Sequence, residues 1–124
     1  MIPLTPPETR QILDEALSRG GAFADIYFED ARRAEVTLDA GRMERVTTGR
    51  SGGASLRVEE GGTLYFASTN DVSADSLSAL ARRVAESVGG KRKISCPPFE
   101  RRDLPVHSAV EIPPSSVPLE TKAE

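Results

Sequence analysis

Cysteine and histidine are nearly missing from this chain: Cys96 and His107 are the single examples of each. One cysteine cannot close an intrachain disulfide, so the simplest expectation is a reducing, cytoplasmic compartment. Zinc sites usually take three or four protein ligands, and no CxxC, HxH or HExxH spacing occurs. The chain by itself is therefore expected to hold no metal and no cofactor. His107 and Cys96 stand eleven residues apart across Pro97, Pro98 and Pro105, in a stretch that reads as a solvated connector. No GxSxG elbow presents a serine, and Cys96 has no readable basic partner to activate it. No catalytic residue can be named.

Other absences narrow the class further. Net charge is −3, so nothing in the electrostatics favours nucleic acid or an anionic membrane as a partner. The short basic run at Lys91, Arg92 and Lys93, with Arg101 and Arg102 nearby, reads as a solvated linker. No run approaches the ~20 apolar residues of a membrane span. The start, "MIPLTPPETR", lacks the basic and apolar regions of a signal peptide. The glycine pairs in "GRSGG" and "EEGG" match no phosphate-binding loop and suit hairpin turns.

What is present is patterning. "TPPE" forms a capping box, with Thr5 as N-cap, Pro6 at the first helical position and Glu8 reaching back. Ile12 with Ala16 and Leu13 with Leu17 line one helical face, and Gly20-Gly21 ends the element. Five strand-like runs follow: Ala24–Glu29, Ala34–Asp39, "MERVTTGR", Ala54–Val58 and "TLYFAST"; in the third, Met43 and Val46 disagree in parity and fix no register. Gly41 supplies a turn. For the last hairpin, a three-residue loop, Glu60 to Gly62, would pair Val58 with Leu64 and Leu56 with Phe66, keeping one apolar face. It is preferred over a two-residue Gly61-Gly62 loop, which sets Val58 beside Tyr65. A second helix runs from a Ser73 cap through Leu77, Leu80, Ala81, Val84, Ala85 and Val88 to Gly89-Gly90.

The expected fold is α+β: an antiparallel sheet of about five strands flanked by two helices, in the order α-β-β-β-β-β-α. Both helices lie on one sheet face, and the other face is polar or covered. Residues 1–90 form this domain. Residues 91–124 carry six of the nine prolines and read as an extended, proline-rich linker that cannot offset its own ordering cost. The linker leads to the start of a further helix at "VPLETKAE", and the active site is expected downstream of it. Possible peptide- or partner-binding residues are Arg57 and Tyr65 on the hairpin, and Asn70 in "STND", where Asn70 or Asp71 also suits a helix cap.

The stretch "ADIYFEDARRAEVTLDAGRMERVTTGRSGGASLRVEEGGTLYFASTND", with the amphipathic helix after it, resembles the N-terminal domain of the TldD/PmbA proteins, also called putative modulators of DNA gyrase. The likeness covers roughly residues 8–90 and lies in the order of its parts: Ala24-Asp25, the Gly41-Arg42 hairpin, Gly53 to Val58, and the "FASTND" close. It implies a zinc-dependent parent peptidase acting on unfolded or flexible peptides as a homo- or heterodimer. This chain would be its non-catalytic N-terminal module, scaffolding a downstream catalytic domain. The alternative is an independent protein- or peptide-binding α+β module with no link to proteolysis. The family's zinc motif maps onto no residue here.

Overall fold

The computed structural model describes residues 3–122. Its elements are α1 (Pro6–Ala16), β1 (Phe23–Asp39), β2 (Arg42–Glu60), β3 (Thr63–Thr69) and α2 (Ala74–Val88), then a 3-10 turn (Pro114–Ser116) and a short α3 (Leu119–Lys122). Ala123 and Glu124, which the sequence places in the last helix, lie outside the described residues.

The sheet has three strands in the order β1-β2-β3, not five. All five runs are extended, but the first joins the second and the third joins the fourth, and the fifth alone forms β3. Between Glu29 and Ala34 stands "DARR", with no glycine or proline to turn the chain, so the first two runs form one 17-residue strand. The "SGG" stretch, taken as a break, stays extended within the 19-residue β2. Gly53 is required there because a side chain would run into the Thr69 carbonyl and Asn70 at the end of β3.

Two turns set the register. Ala40 and Gly41 have φ of 47° and 76°, and Gly61 and Gly62 have 59° and 81°. Positive φ at both central residues matches a two-residue hairpin whose twist suits the flanking strands. The three-residue loop is therefore overturned: Glu60 pairs with Thr63, Val58 with Tyr65, Arg57 with Phe66 and Leu56 with Ala67. Two glycines in sequence make this tighter turn accessible, and the preference for one apolar face does not override it.

The chain divides into two compact units. The larger comprises residues 1–29 and 52–102. Its core sets Ile12, Ala16 and Leu17 of the α1 region and Leu77, Leu80, Ala81 and Val84 of α2 against Ala54, Leu56 and Val58 of β2. Ala24, Ile26, Phe28, Tyr65 and Ala67 pack against this cluster from the sheet. Both helices start as their caps dictate. The Glu8 carboxylate accepts from the Thr5 backbone N–H (2.8 Å) and hydroxyl (2.7 Å), and Ser73 Oγ accepts from Ser76 N–H at 3.3 Å. Gly89, at φ 67°, closes α2. From Gly90 to Arg102 the chain has no regular element, yet it is seated: Ile94 packs on the core and Cys96 is buried.

The smaller unit comprises residues 30–51 and 103–124. Its ribbon turns at Ala40-Gly41, and Arg50 bridges to Asp30 through two bonds of 2.8 and 2.9 Å. His107 is exposed, as are Leu104, Val106, Val110 and Ile112.

Candidate functional site

The register determines what the open face of the sheet displays. Residues alternate between faces along a strand. With Leu56 and Val58 against the helices, Arg57 faces outward, and its cross-strand partner is Phe66. Leu64, two residues earlier on β3, shares that face and stands opposite Glu59. On β1 the same parity puts Phe23, Asp25, Tyr27 and Glu29 opposite in sense to the core-facing Ala24, Ile26 and Phe28. The face expected to be polar or covered thus displays Phe23, Tyr27, Leu64 and Phe66, each 50–62% exposed, among the charged Asp25, Glu29, Arg57 and Glu59.

Arg57 organises this surface. Its Nε donates to Asp25 Oδ1 at 3.1 Å, and its second guanidinium nitrogen donates to Asp25 Oδ2. The planar fork matches the carboxylate, and the same group lies 5.8 Å from the Phe23 ring centroid. The Asp25 hydrogen bond, and then its charge, push the guanidinium pKa further up. Tyr27 donates its phenol O–H to Glu29 at 3.1 Å, and that bond raises the phenol's pKa above its ordinary value. Glu59 accepts from Gly62 N–H at 3.1 Å, which ties the hairpin tip to the strand. The acids here are engaged as acceptors, so the surface suits contact through rings and a fixed cation rather than proton transfer.

The three residues singled out in the sequence do not come together. Arg57 is on the open face. Tyr65 points to the other side, half-buried against the helices, beside Val58. Asn70 is exposed just past β3, and the turn into α2 is built by its neighbour: Asp71 Oδ1 accepts from Ser73 N–H at 2.9 Å, and Thr69 Oγ1 from Asp71 N–H at 3.1 Å. Sequence reasoning missed Phe23, Asp25 and Phe66. The loop length hid Phe66, since it decides the parity of β3. Asp25 was within reach, because it alternates outward from Ala24 and Ile26.

A cleft lies along α1. Pro6, Pro7, Arg10, Gln11 and Asp14 face Pro98 and Phe99 across an open cleft of about 390 Å³. At its edge Asp14 Oδ1 accepts from the Cys96 backbone N–H at 2.5 Å. Burial, and then the Asp14 charge, push the Cys96 thiol pKa up, away from the reactive thiolate.

Among the described residues no three His, Cys, Asp or Glu side chains converge as metal ligands. Among them, too, no helix is long and apolar enough to cross a membrane. No curated protein matches the chain. Residues 24–88, more than half of the sequence, match the family model described as PmbA/TldA metallopeptidase domain 1, and the chain belongs to that family.

Proposed function

We propose that this chain is the non-catalytic first module of a TldD/PmbA-type zinc metallopeptidase. In this reading it scaffolds a catalytic region and contributes to holding peptide or a second subunit. The family match over residues 24–88 carries the reading. Zinc would belong to the catalytic region, and the partners would be that region, a family member in a homo- or heterodimer, and flexible peptides. A cytoplasmic location fits a chain with one unpaired cysteine.

The test is a fluorescent unstructured peptide incubated with this chain, with a full-length protein containing it, and with each plus chelator. Chelator-sensitive cleavage by the full-length protein alone is expected. Chelator-sensitive cleavage by the isolated chain would overturn the proposal.

A second reading is an independent binding module, favoured by one observation: three aromatic rings stand exposed on a single sheet face around a fixed arginine. Exposed apolar patches of this kind mark contact surfaces. Peptide binding that is lost in Phe66→Ala and Arg57→Glu, in a protein with no peptidase partner, would favour this module.

A further inference from the structure

β3 is an edge strand. The order β1-β2-β3 gives it one neighbour, and among the described residues no other backbone bonds to it. Its pairing with β2 runs without a bulge from Glu60 and Thr63 to Ala54 and Thr69. The residues that close a two-residue hairpin exchange backbone hydrogen bonds, and bonded pairs then alternate with open ones. Counted from Glu60 and Thr63, the residues of β3 bonded to β2 are Thr63, Tyr65, Ala67 and Thr69. The N–H and C=O groups of Leu64, Phe66 and Ser68 therefore point away from β2, along the outer edge. The side chains of these same three residues lie on the open face, and all three are exposed.

We propose that β3 is a docking edge for an extended peptide, which adds to the sheet as an antiparallel fourth strand with an apolar side chain beside Phe66 and a lysine or arginine beside Leu64. The inference rests on the peptide-holding role proposed above and names where and how the peptide is held. Strand edges are ordinarily blunted by a charge, a proline or a bulge. "TLYFAST" contains no charge and no proline, and its ladder has no bulge. β1, at the other edge, carries Asp25, Glu29, Asp30, Arg32 and Arg33.

In strand addition the main-chain bonds supply affinity and alternate side chains supply specificity. Leu64, Phe66 and Ser68 each offer one donor and one acceptor. A strand ~4.8 Å beyond β3 brings its own side chains against Leu64 and Phe66, and gives further cover to the half-buried Tyr65 and Ala67 on the helix side. Charge selects the occupant. Asp25, Glu29 and Glu59 share the open face with one cation, Arg57, which Asp25 already holds. Glu59 stands opposite Leu64; its Oε1 accepts from Gly62 N–H, and its Oε2 is open to a cation. A lysine beside Leu64 lays its aliphatic stem over that side chain and carries its ammonium to Glu59. The β3 strand of a second copy has no cation to offer there, so a basic, apolar peptide fits the edge better than self-pairing.

The experiment follows amide exchange by NMR in the intact chain, with and without the probe peptide T-S-T-F-T-K-T at about ten times its dissociation constant. The amides of Leu64, Phe66 and Ser68 should exchange about tenfold more slowly, the factor set by that occupancy, while those of Tyr65 and Ala67, already in the ladder, change least. N-methylation of the probe at its phenylalanine, whose N–H faces β3, should weaken binding more than about tenfold; N-methylation at the threonine before it should not. Unchanged exchange at the three edge amides, or equal binding by the two methylated probes, would overturn the proposal. Phe66→Ala should weaken binding roughly threefold to tenfold. Glu59→Gln, which keeps an acceptor for Gly62, should weaken the lysine probe about twofold to fivefold at low salt and spare its norleucine analogue; an equal loss for both would overturn the placing of the cation. Edge amides already protected without peptide, in a chain that sediments as a dimer, would assign the edge to a second copy and overturn the proposal. The exchange and methylated-probe arms use the wild-type chain, so they decide the matter even where a variant fails to fold. Cleavage by the full-length protein is read separately. Chelator-sensitive cleavage without edge protection overturns the docking edge alone, whereas edge protection without cleavage supports the edge and overturns the metallopeptidase reading.

Discussion

Leu56 and Phe66 give the sharpest test of the hairpin register. A three-residue loop would put them opposite each other on one apolar face. The observed two-residue loop pairs Leu56 with Ala67 and Arg57 with Phe66, so they point to opposite sides. Leu56 is 0% exposed beneath the helices, and Phe66 is 62% exposed. Truncating Leu56 removes buried methyl groups and leaves a cavity that β2, held between two strands, cannot collapse to fill. Leu56→Ala should cost roughly 3–5 kcal/mol, the range for fully buried leucines. Phe66 has no enclosed volume to empty. Burying about 40% of a ring side chain of ~150 Å² at ~25 cal/mol per Å² gives ~1.5 kcal/mol for Phe66→Ala, as an upper bound. A domain of this size holds about 4–12 kcal/mol in total, so the first variant should sit near its unfolding threshold and the second should not. Urea denaturation followed by far-UV circular dichroism measures both, with m-values checked for two-state behaviour. Equal losses, or a Leu56→Ala cost below about 1 kcal/mol, would refute the register and the open face built on it.

Further outcomes follow from the same structure. Gly53→Ala should destabilise the chain by more than about 1 kcal/mol and speed amide exchange at the end of β3, because the new methyl meets the Thr69 carbonyl; exchange unchanged at Ser68 and Thr69 would contradict this. Ser73→Ala should cost about 1 kcal/mol by removing the α2 cap, read as a drop in thermal midpoint; an unchanged midpoint would count against it. Asp71 has its pKa lowered, first by the Ser73 backbone N–H and then by the Ser73 side chain. Its folded value lies below its unfolded one, so its contribution is present above the unfolded pKa and is lost as pH falls through the lowered value. Asp71→Asn should therefore flatten the acid limb of the stability–pH curve, and an identical limb would refute the assignment. Dialysed protein should carry no stoichiometric zinc by elemental analysis; one tightly held zinc per chain would require ligands not recognised here.

Local signals carried much of this fold. The capping box at Thr5 to Glu8 and the Ser73 cap fix both helix starts through contacts three residues apart. The apolar stripe Leu77, Leu80, Ala81, Val84 needs only helical spacing to define a buried face. Alternation along β1 and β2 likewise assigned Ala24, Ile26, Leu56 and Val58 to the core. Strand count was not legible, because a run of alternation does not say whether the next begins a new strand or continues the old one. "DARR" and "SGG" both stay extended, the second because the end of β3 needs a residue without a side chain at Gly53. Loop length was not legible either. Two candidate loops differ by one residue, and that residue moves Phe66 and Leu64 from the core to the open face. The seat of Cys96 on Asp14 joins residues 82 apart in sequence and leaves no mark on either neighbourhood. The sequence by itself determined where the helices begin and which faces are apolar, since those depend on neighbours within a turn or a pleat. Tertiary structure decided the strand pairing, the surface gathered around Arg57 and the seating of Ile94 and Cys96 against the α1 region, since each depends on which distant backbone lies alongside.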